Sequence, residues 1–179
     1  MSGTHASGKS TLISDFRLAM PGYALQPDPF DDLDDEVEPA SPSSFLAQFA
    51  VTVRRTREGM PGAAVIAERG PLDFLAYLRA LDVLGRWSLP VETEESLRRW
   101  TSLAMRDVDL LVVLPCDGRI RVAAEEDEAL RWAMDEQLRE CLDDPELVGD
   151  VADVHEIAGD RSARRDALVR AVELRTRGR

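Results

Sequence analysis

The sequence predicts an α/β fold with a mostly parallel sheet and helices on both of its faces. Three observations carry that prediction. A glycine-bounded turn at residues 3–8 runs directly into a segment of helical spacing. Short apolar runs then alternate with longer amphipathic segments along the rest of the chain. Two of those runs, residues 63–67 and 109–114, are apolar almost throughout, as strands covered on both faces should be.

The elements follow in order. A first helix is expected over residues 9–20, with Leu12, Ile13, Phe16 and residues 18–20 supplying apolar contacts, and Pro21-Gly22 ending it. Residues 23–26 read as a short strand. Residues 27–42, rich in Asp, Glu, Pro and Ser, read as a solvated loop. A helix is expected over 43–58, where Phe45, Phe49, Thr52 and Val53 recur at helical spacing, and Gly59-Met60-Pro61-Gly62 breaks it. A strand at 63–67 is followed by helices at 72–84 and 93–106, with Thr93 as the N-cap of the latter. A strand at 109–114, a loop at 115–122 and a charged helix at 123–142 come next. A strand at 151–157 and a helix at 162–177 close the chain. No repeat or linker divides it, so one domain over 1–179 is expected.

Only Met1 and Ser2 precede Gly3. The strand that ordinarily feeds such a turn is therefore expected to be missing or truncated. A start lying upstream, a trimmed chain or a damaged sheet would each account for it. Loss of a central strand exposes strand edges.

Composition narrows the function. Hydrophobic residues make up 44% and charged residues 31% of 179, as in a globular chain. A net charge of -12 and a pI near 4.6 argue against general nucleic-acid binding, which needs a basic face. Cys116 and Cys141 suggest thiols, without a disulfide framework or metal cluster. His5 and His155 are too few for a zinc site. No apolar run reaches the length of a membrane span, and the amino end lacks a signal-peptide apolar region. A cytoplasmic protein is expected. Lys9 is the sole lysine; every other basic side chain apart from the two histidines is arginine.

Residues 3–10, Gly-Thr-His-Ala-Ser-Gly-Lys-Ser, fit G-x-x-x-x-G-K-[ST] without a mismatch. Glycines at both ends let the backbone curl so that N–H groups of Gly3, Thr4, His5, Ala6, Ser7 and Gly8 can point at phosphate oxygens. The following helix adds the positive end of its dipole. Lys9 is suited to bridge the outer phosphates, and Ser10 to ligate magnesium. Thr11 is placed for an inner phosphate. ATP and Mg2+ are the expected ligands, and a three-layer P-loop NTPase fold is the expected architecture.

Glu68 and Arg69 stand just past the strand at 63–67. Ligands in open α/β sheets sit at the carboxyl ends of strands. Glu68 is thus a candidate magnesium ligand, and Arg69 a candidate for neutralising a transferring phosphoryl group; the plainer reading is a surface ion pair. Asp28, after the strand at 23–26, is a candidate to accept a proton from an attacking hydroxyl. Phe45 and Gln48 lie about one helical turn apart and could present a ring and an amide to a flat ligand. The plainer alternative makes the phenylalanines core and Arg54-Arg55 a solvated face.

The order P-loop, Pro27-Asp28-Pro29, Phe45-x-x-Gln48-Phe49, Arg55, Glu68-Arg69-Gly70 resembles the deoxynucleoside kinase group. It is also similar to broader nucleoside and nucleotide kinase-like P-loop proteins, and residues 68–73 are especially like ribosylnicotinamide kinase-like ATPases. The resemblance covers most of the chain as an ordering of short motifs, of which only the P-loop is highly specific. It implies Asp28 as base, Gln48 as reader of a base, Arg55 as support for the substrate hydroxyl region, and Glu68 and Arg69 serving magnesium and phosphate. It also implies a lid at about 115–124 whose Arg119 and Arg121 clamp donor phosphates. Their plainer reading is pairing with the acidic residues 125–127. Gly159-Asp160-Arg161 falls where such folds contact adenine. Gly70 replaces the usual serine, and Asp28 stands where glutamate is usual, which leaves the substrate open.

The leading expectation is a kinase passing the ATP γ-phosphate to a hydroxyl of a small molecule. The alternative is a regulatory NTPase whose hydrolysis switches a protein partner; a non-catalytic nucleotide-binding module is the third. No nucleic-acid or membrane partner is expected, a homodimer is left open, and the acceptor and the ATP-versus-GTP preference are not legible.

Overall fold

The computed structural model describes residues 1–33, 38–116, 127–149 and 153–177. Among them, seven α-helices and four short parallel strands make a mixed α/β fold. Helix α1 spans Lys9–Ala19, β1 Tyr23–Gln26, α2 Pro42–Glu58 and β2 Ala64–Ala67. Helix α3 spans Pro71–Val83, α4 Val91–Met105 and β3 Leu111–Val113. Helix α5 at Glu128–Leu142, α6 at Pro145–Val148, β4 at Val154–Glu156 and α7 at Arg161–Arg177 complete the order.

Local chemistry sets most of these ends. The Ser41 hydroxyl accepts from Ser44 N–H and caps α2, with Pro42 in the first turn where its missing donor costs nothing. Asp127 caps α5 by accepting from Leu130 N–H. Helix α4 corrects one expectation. It starts at Val91 behind Pro90, so Thr93 lies inside its first turn and caps nothing. The loop expected at 27–42 contains a 3-10 turn, Pro29–Asp32, capped by the Asp28 carboxylate on Phe30 N–H.

The strands form two separate parallel pairs. Strand β1 runs beside β2, with Tyr23 opposite Ala64, and β3 beside β4, with Leu111 opposite Val154. The amino end of the chain lies in the seam between the pairs. Ser2 N–H donates to Val112 O at 2.7 Å, and Leu114 N–H donates to Ser2 O at 2.9 Å, a parallel bridge to β3. The Met1 amino group donates to Ala67 O of β2 at 2.8 Å. Two residues thus serve where a strand leading into the turn was expected.

Side chains of β3 alternate between two apolar clusters, as a period of two requires. Leu111 and Val113 pack with Leu72, Met105 and the mostly buried α3. Val112 and Leu114 pack with Phe16 of α1 and Leu168 of α7. Strand β2 departs from expectation. Ile66 is buried but Ala64 is exposed, where a cavity opens between β2 and β3. In α1 the buried stripe is Leu12, Ile13 and Phe16, whereas Leu18 is 84% exposed and makes none of the apolar contacts expected of it. Both cysteines are buried thiols. No helix among the described residues is long and apolar enough to cross a membrane.

Candidate functional site

The turn at residues 3–8 has the curl its glycines foretold. Gly3 adopts φ 143°, and a Cβ there would stand 2.6 Å from Leu114 O, so the position excludes any side chain. Ala6 and Gly8, at φ 51° and 88°, swing the backbone around so that α1 begins at Lys9. The first N–H groups of α1, from Lys9, Ser10 and Thr11, have no acceptor within the helix and carry the positive end of its dipole.

Lys9 folds back into this turn. It is 4% exposed, and its Nζ donates to Gly3 O at 3.0 Å, Thr4 O at 2.5 Å and Ser7 Oγ at 3.2 Å. Burial first, and then repulsion from Arg69, lowers its pKa to about 7 against the pull of Asp73, Glu68 and Asp28. The unfolded chain keeps that ammonium up to the ordinary value of 10.5. Between these values the unfolded state holds more protons, so Lys9's contribution to stability rises with pH across that window, and its full cost is felt below it.

The rim of the turn is built from the carboxyl ends of β1 and β2. Ser10 Oγ donates to Glu68 Oε1, so the two residues expected to share a metal touch directly. Arg69 Nε donates to Asp28 Oδ2 at 2.7 Å, and its Nη1 lies 3.5 Å from Gly3 O. The Arg69 guanidinium also lies 5.6 Å from the Tyr77 ring centre. Burial works against its charge, but Tyr77, Asp28 and Asp73 outweigh burial and raise its pKa. Lys9, Ser10, Asp28, Glu68 and Arg69 are therefore brought to one place.

The substrate-side residues are differently engaged. Phe45 stacks on Tyr77 at 4.5 Å between centroids with planes 14° apart, inside the core. Gln48 is buried, and its Nε2 donates to Ser44 Oγ at 2.9 Å. A ligand that reads the Gln48 amide has to displace that hydroxyl. Arg55 Nη1 donates to Pro27 O at 3.0 Å and its Nη2 pairs with Asp32 at 2.5 Å, bracing the segment that carries Asp28. Arg119, Arg121 and most of the expected lid lie outside the described residues. Asp160 caps α7 through Ala163 N–H, and Arg161 pairs with Asp15 at 2.6 Å.

Four residues that motif reading did not single out hold the turn in shape. Asp73, fully buried, accepts from Gly3 N–H at 2.8 Å and from Ser2 Oγ and Gly70 N–H at 2.9 Å each. The Tyr77 hydroxyl accepts from His5 N–H at 2.7 Å and meets His5 Nδ1 at 3.0 Å. Burial, then Arg131, Arg69 and Lys9, lower the His5 pKa to about 4, which leaves its ring neutral at pH 7. Arg164 Nη1 of α7 donates to Ser7 O at 2.9 Å, and Arg131 Nε of α5 to His5 O at 3.3 Å. The Pro71-x-Asp73 start of α3 was a readable cap signal for Asp73. Nothing local marked Arg131 or Arg164, whose contacts span the whole chain.

No family model matches the chain, and no curated protein matches it.

The donor set suits a polyphosphate with magnesium. Among the described residues no group of three or more His, Cys, Asp or Glu side chains converges as a metal site. Magnesium needs none, since it takes one or two protein oxygens and keeps phosphate oxygens and waters for the rest. The Ser10 hydroxyl and the Glu68 carboxylate are such a pair. A polyanion in the turn would restore the Lys9 charge. Triphosphate binding near pH ~8.5 should therefore take up close to ~1 proton, and near pH ~6 almost none. Calorimetry in buffers of different ionisation enthalpy reads this directly; equal uptake at both pH values contradicts it.

Proposed function

We propose that this chain is an ATP- and magnesium-dependent kinase that transfers the γ-phosphate to a hydroxyl of a small, nucleoside-like molecule in the cytoplasm. The architecture is then that of a three-layer P-loop protein of the nucleoside kinase kind. The observation that carries the reading is the meeting of a buried lysine inside a glycine-bounded turn with two pairs on its rim, Ser10–Glu68 and Asp28–Arg69.

Bound ATP and magnesium would supply the transferable phosphoryl group and a divalent charge at Ser10 and Glu68. The protein's own share is positioning and charge. Lys9 exchanges its carbonyl partners in the turn for phosphate oxygens. Arg69, held between Asp28 and Gly3 O, faces charge that spreads onto the transferring group. Asp28 takes the proton of the acceptor hydroxyl as that oxygen bonds to phosphorus, and ADP leaves.

The test has two arms. ATP with magnesium should raise the melting temperature, and a nucleoside panel should yield a phosphorylated product. Lys9→Ala should abolish the nucleotide-induced rise, because charge-assisted hydrogen bonds worth about 1.5–3 kcal/mol, or roughly 10- to 150-fold in affinity, are removed. An undiminished rise in Lys9→Ala contradicts the assigned cradle. Tight ATP binding with no product from any acceptor rejects the kinase.

A further inference from the structure

Arg131 of α5 is 5% exposed, and its hydrogen bond to the turn, from Nε to His5 O, is long at 3.3 Å. Among the described residues both of its Nη groups meet no protein acceptor, and no carboxylate pairs with it. The two aspartates four residues to either side are engaged elsewhere. Asp127 caps α5 and pairs with Arg86, while Asp135 accepts from Cys116 N–H at 2.9 Å and pairs with Arg139 at 2.7 Å. Arg131 also lies in the first turn of α5, where the helix dipole disfavours a cation. A buried guanidinium so poorly paired is costly, and an anion that fills its fork removes the cost.

We propose that Arg131 forms a second phosphate subsite on the His5 side of the turn, distinct from the one at Lys9. The inference rests on the reading of the turn as a polyphosphate cradle, and not on transfer to an acceptor.

The turn's own donors show why an added group is useful there. Gly3 N–H is taken by Asp73 and His5 N–H by the Tyr77 hydroxyl. Neither remains for a phosphate, so the amino half of the turn offers fewer donors than its motif predicts. The neutral His5 ring adds no charge of its own. Arg69 is tied to Asp28, and Lys9 faces Gly3 O and Thr4 O. Arg131 is the cation whose fork is left over, and an arginine fork grips two phosphate oxygens at once. Its neighbourhood is already positive: Arg131, Arg69 and Lys9 each depress the His5 pKa, in a chain whose net charge is -12. Arg164, the other arginine that reaches the turn, differs. Its Nε donates to Gly159 O at 3.0 Å and its Nη1 to Ser7 O at 2.9 Å, so its fork is used in holding the backbone.

The phosphate has two possible sources, the end of a nucleoside triphosphate or a group carried by the acceptor. The native chain, Arg131→Gln and Arg131→Lys are titrated by calorimetry with three probes in magnesium. These are ATP, ADP, and inorganic phosphate added to protein already filled with a non-hydrolysable ATP analogue. If the subsite takes the terminal phosphate, Arg131→Gln weakens ATP by roughly 10- to 150-fold and leaves ADP within about threefold. If it takes an acceptor's phosphate, ATP and ADP are unchanged and inorganic phosphate no longer binds the filled protein. Arg131→Lys keeps the charge without the fork and shows a smaller loss for the same probe; it carries the test if the glutamine variant does not fold. Equal losses for ATP and ADP overturn the proposal, since Arg131 then only shapes the turn through His5 O. So does unchanged binding of all three probes. If the native chain binds none of them, the polyphosphate reading itself fails and the subsite falls with it.

Discussion

In the proposed kinase, Asp28→Asn should lower phosphoryl transfer by about 10²- to 10⁴-fold, the range over which a positioned general base acts. The substitution keeps the side chain's shape but sets an amide N–H₂ against the Arg69 Nε–H, so its stability cost is read separately by urea unfolding. The Asp28 Oδ1 contact with Phe30 N–H at 3.0 Å survives in asparagine, so the 3-10 turn keeps its cap. What disappears is the negative oxygen that Arg69 Nε holds at 2.7 Å, and with it the site for a proton. The nucleotide-induced rise in melting temperature should remain, because Asp28 contacts neither Lys9 nor Ser10 through any hydrogen bond described above. The measurement is single-turnover product formation beside the thermal shift. A fall of less than about tenfold would move the base elsewhere.

The second large effect is on stability. Asp73→Ala should cost about 3–5 kcal/mol, because three buried donors lose their acceptor at once and each stranded group costs about 1–3 kcal/mol before partial relief by water. Those donors are Gly3 N–H, Ser2 Oγ and Gly70 N–H. They belong to three different places: the glycine-bounded turn, the seam between the strand pairs, and the N-terminus of α3. Urea unfolding should show a lower midpoint with an unchanged slope. Asp73→Asn keeps the volume but turns an N–H₂ toward one donor, and should recover only part of the loss. A cost under about 1 kcal/mol for Asp73→Ala would mean that the turn is held by other contacts.

The order of elements was legible in the sequence where periodicity and punctuation agree. Helix α1 ends before Pro21-Gly22, α2 ends at Gly59, and the apolar run before Pro115 is a buried strand. The turn was legible too, because Gly3 leaves no room for a Cβ against Leu114 O and Gly8 takes a left-handed φ of 88° that glycine adopts most easily. The start of α4 was misread because Thr93 looks like a cap, whereas Pro90 ahead of it already limits the helix. The exposure of Ala64 was not readable, since burial of β2 depends on what lies across the seam and not on its own residues. The site divides in the same way. Asp28, Glu68 and Arg69 follow strands and could be placed at the carboxyl edge by topology. Arg131 and Arg164 reach the turn from α5 and α7, over separations that no local pattern encodes.

A chain whose only lysine is folded into its own turn carries a built-in reporter. An endoprotease that cuts after lysine has a single peptide bond to find, between Lys9 and Ser10, and the native fold hides the side chain it must grip. Cleavage then counts openings of that one turn, and protection by a bound guest can be read from the intact band on a gel, with no substrate identified beforehand.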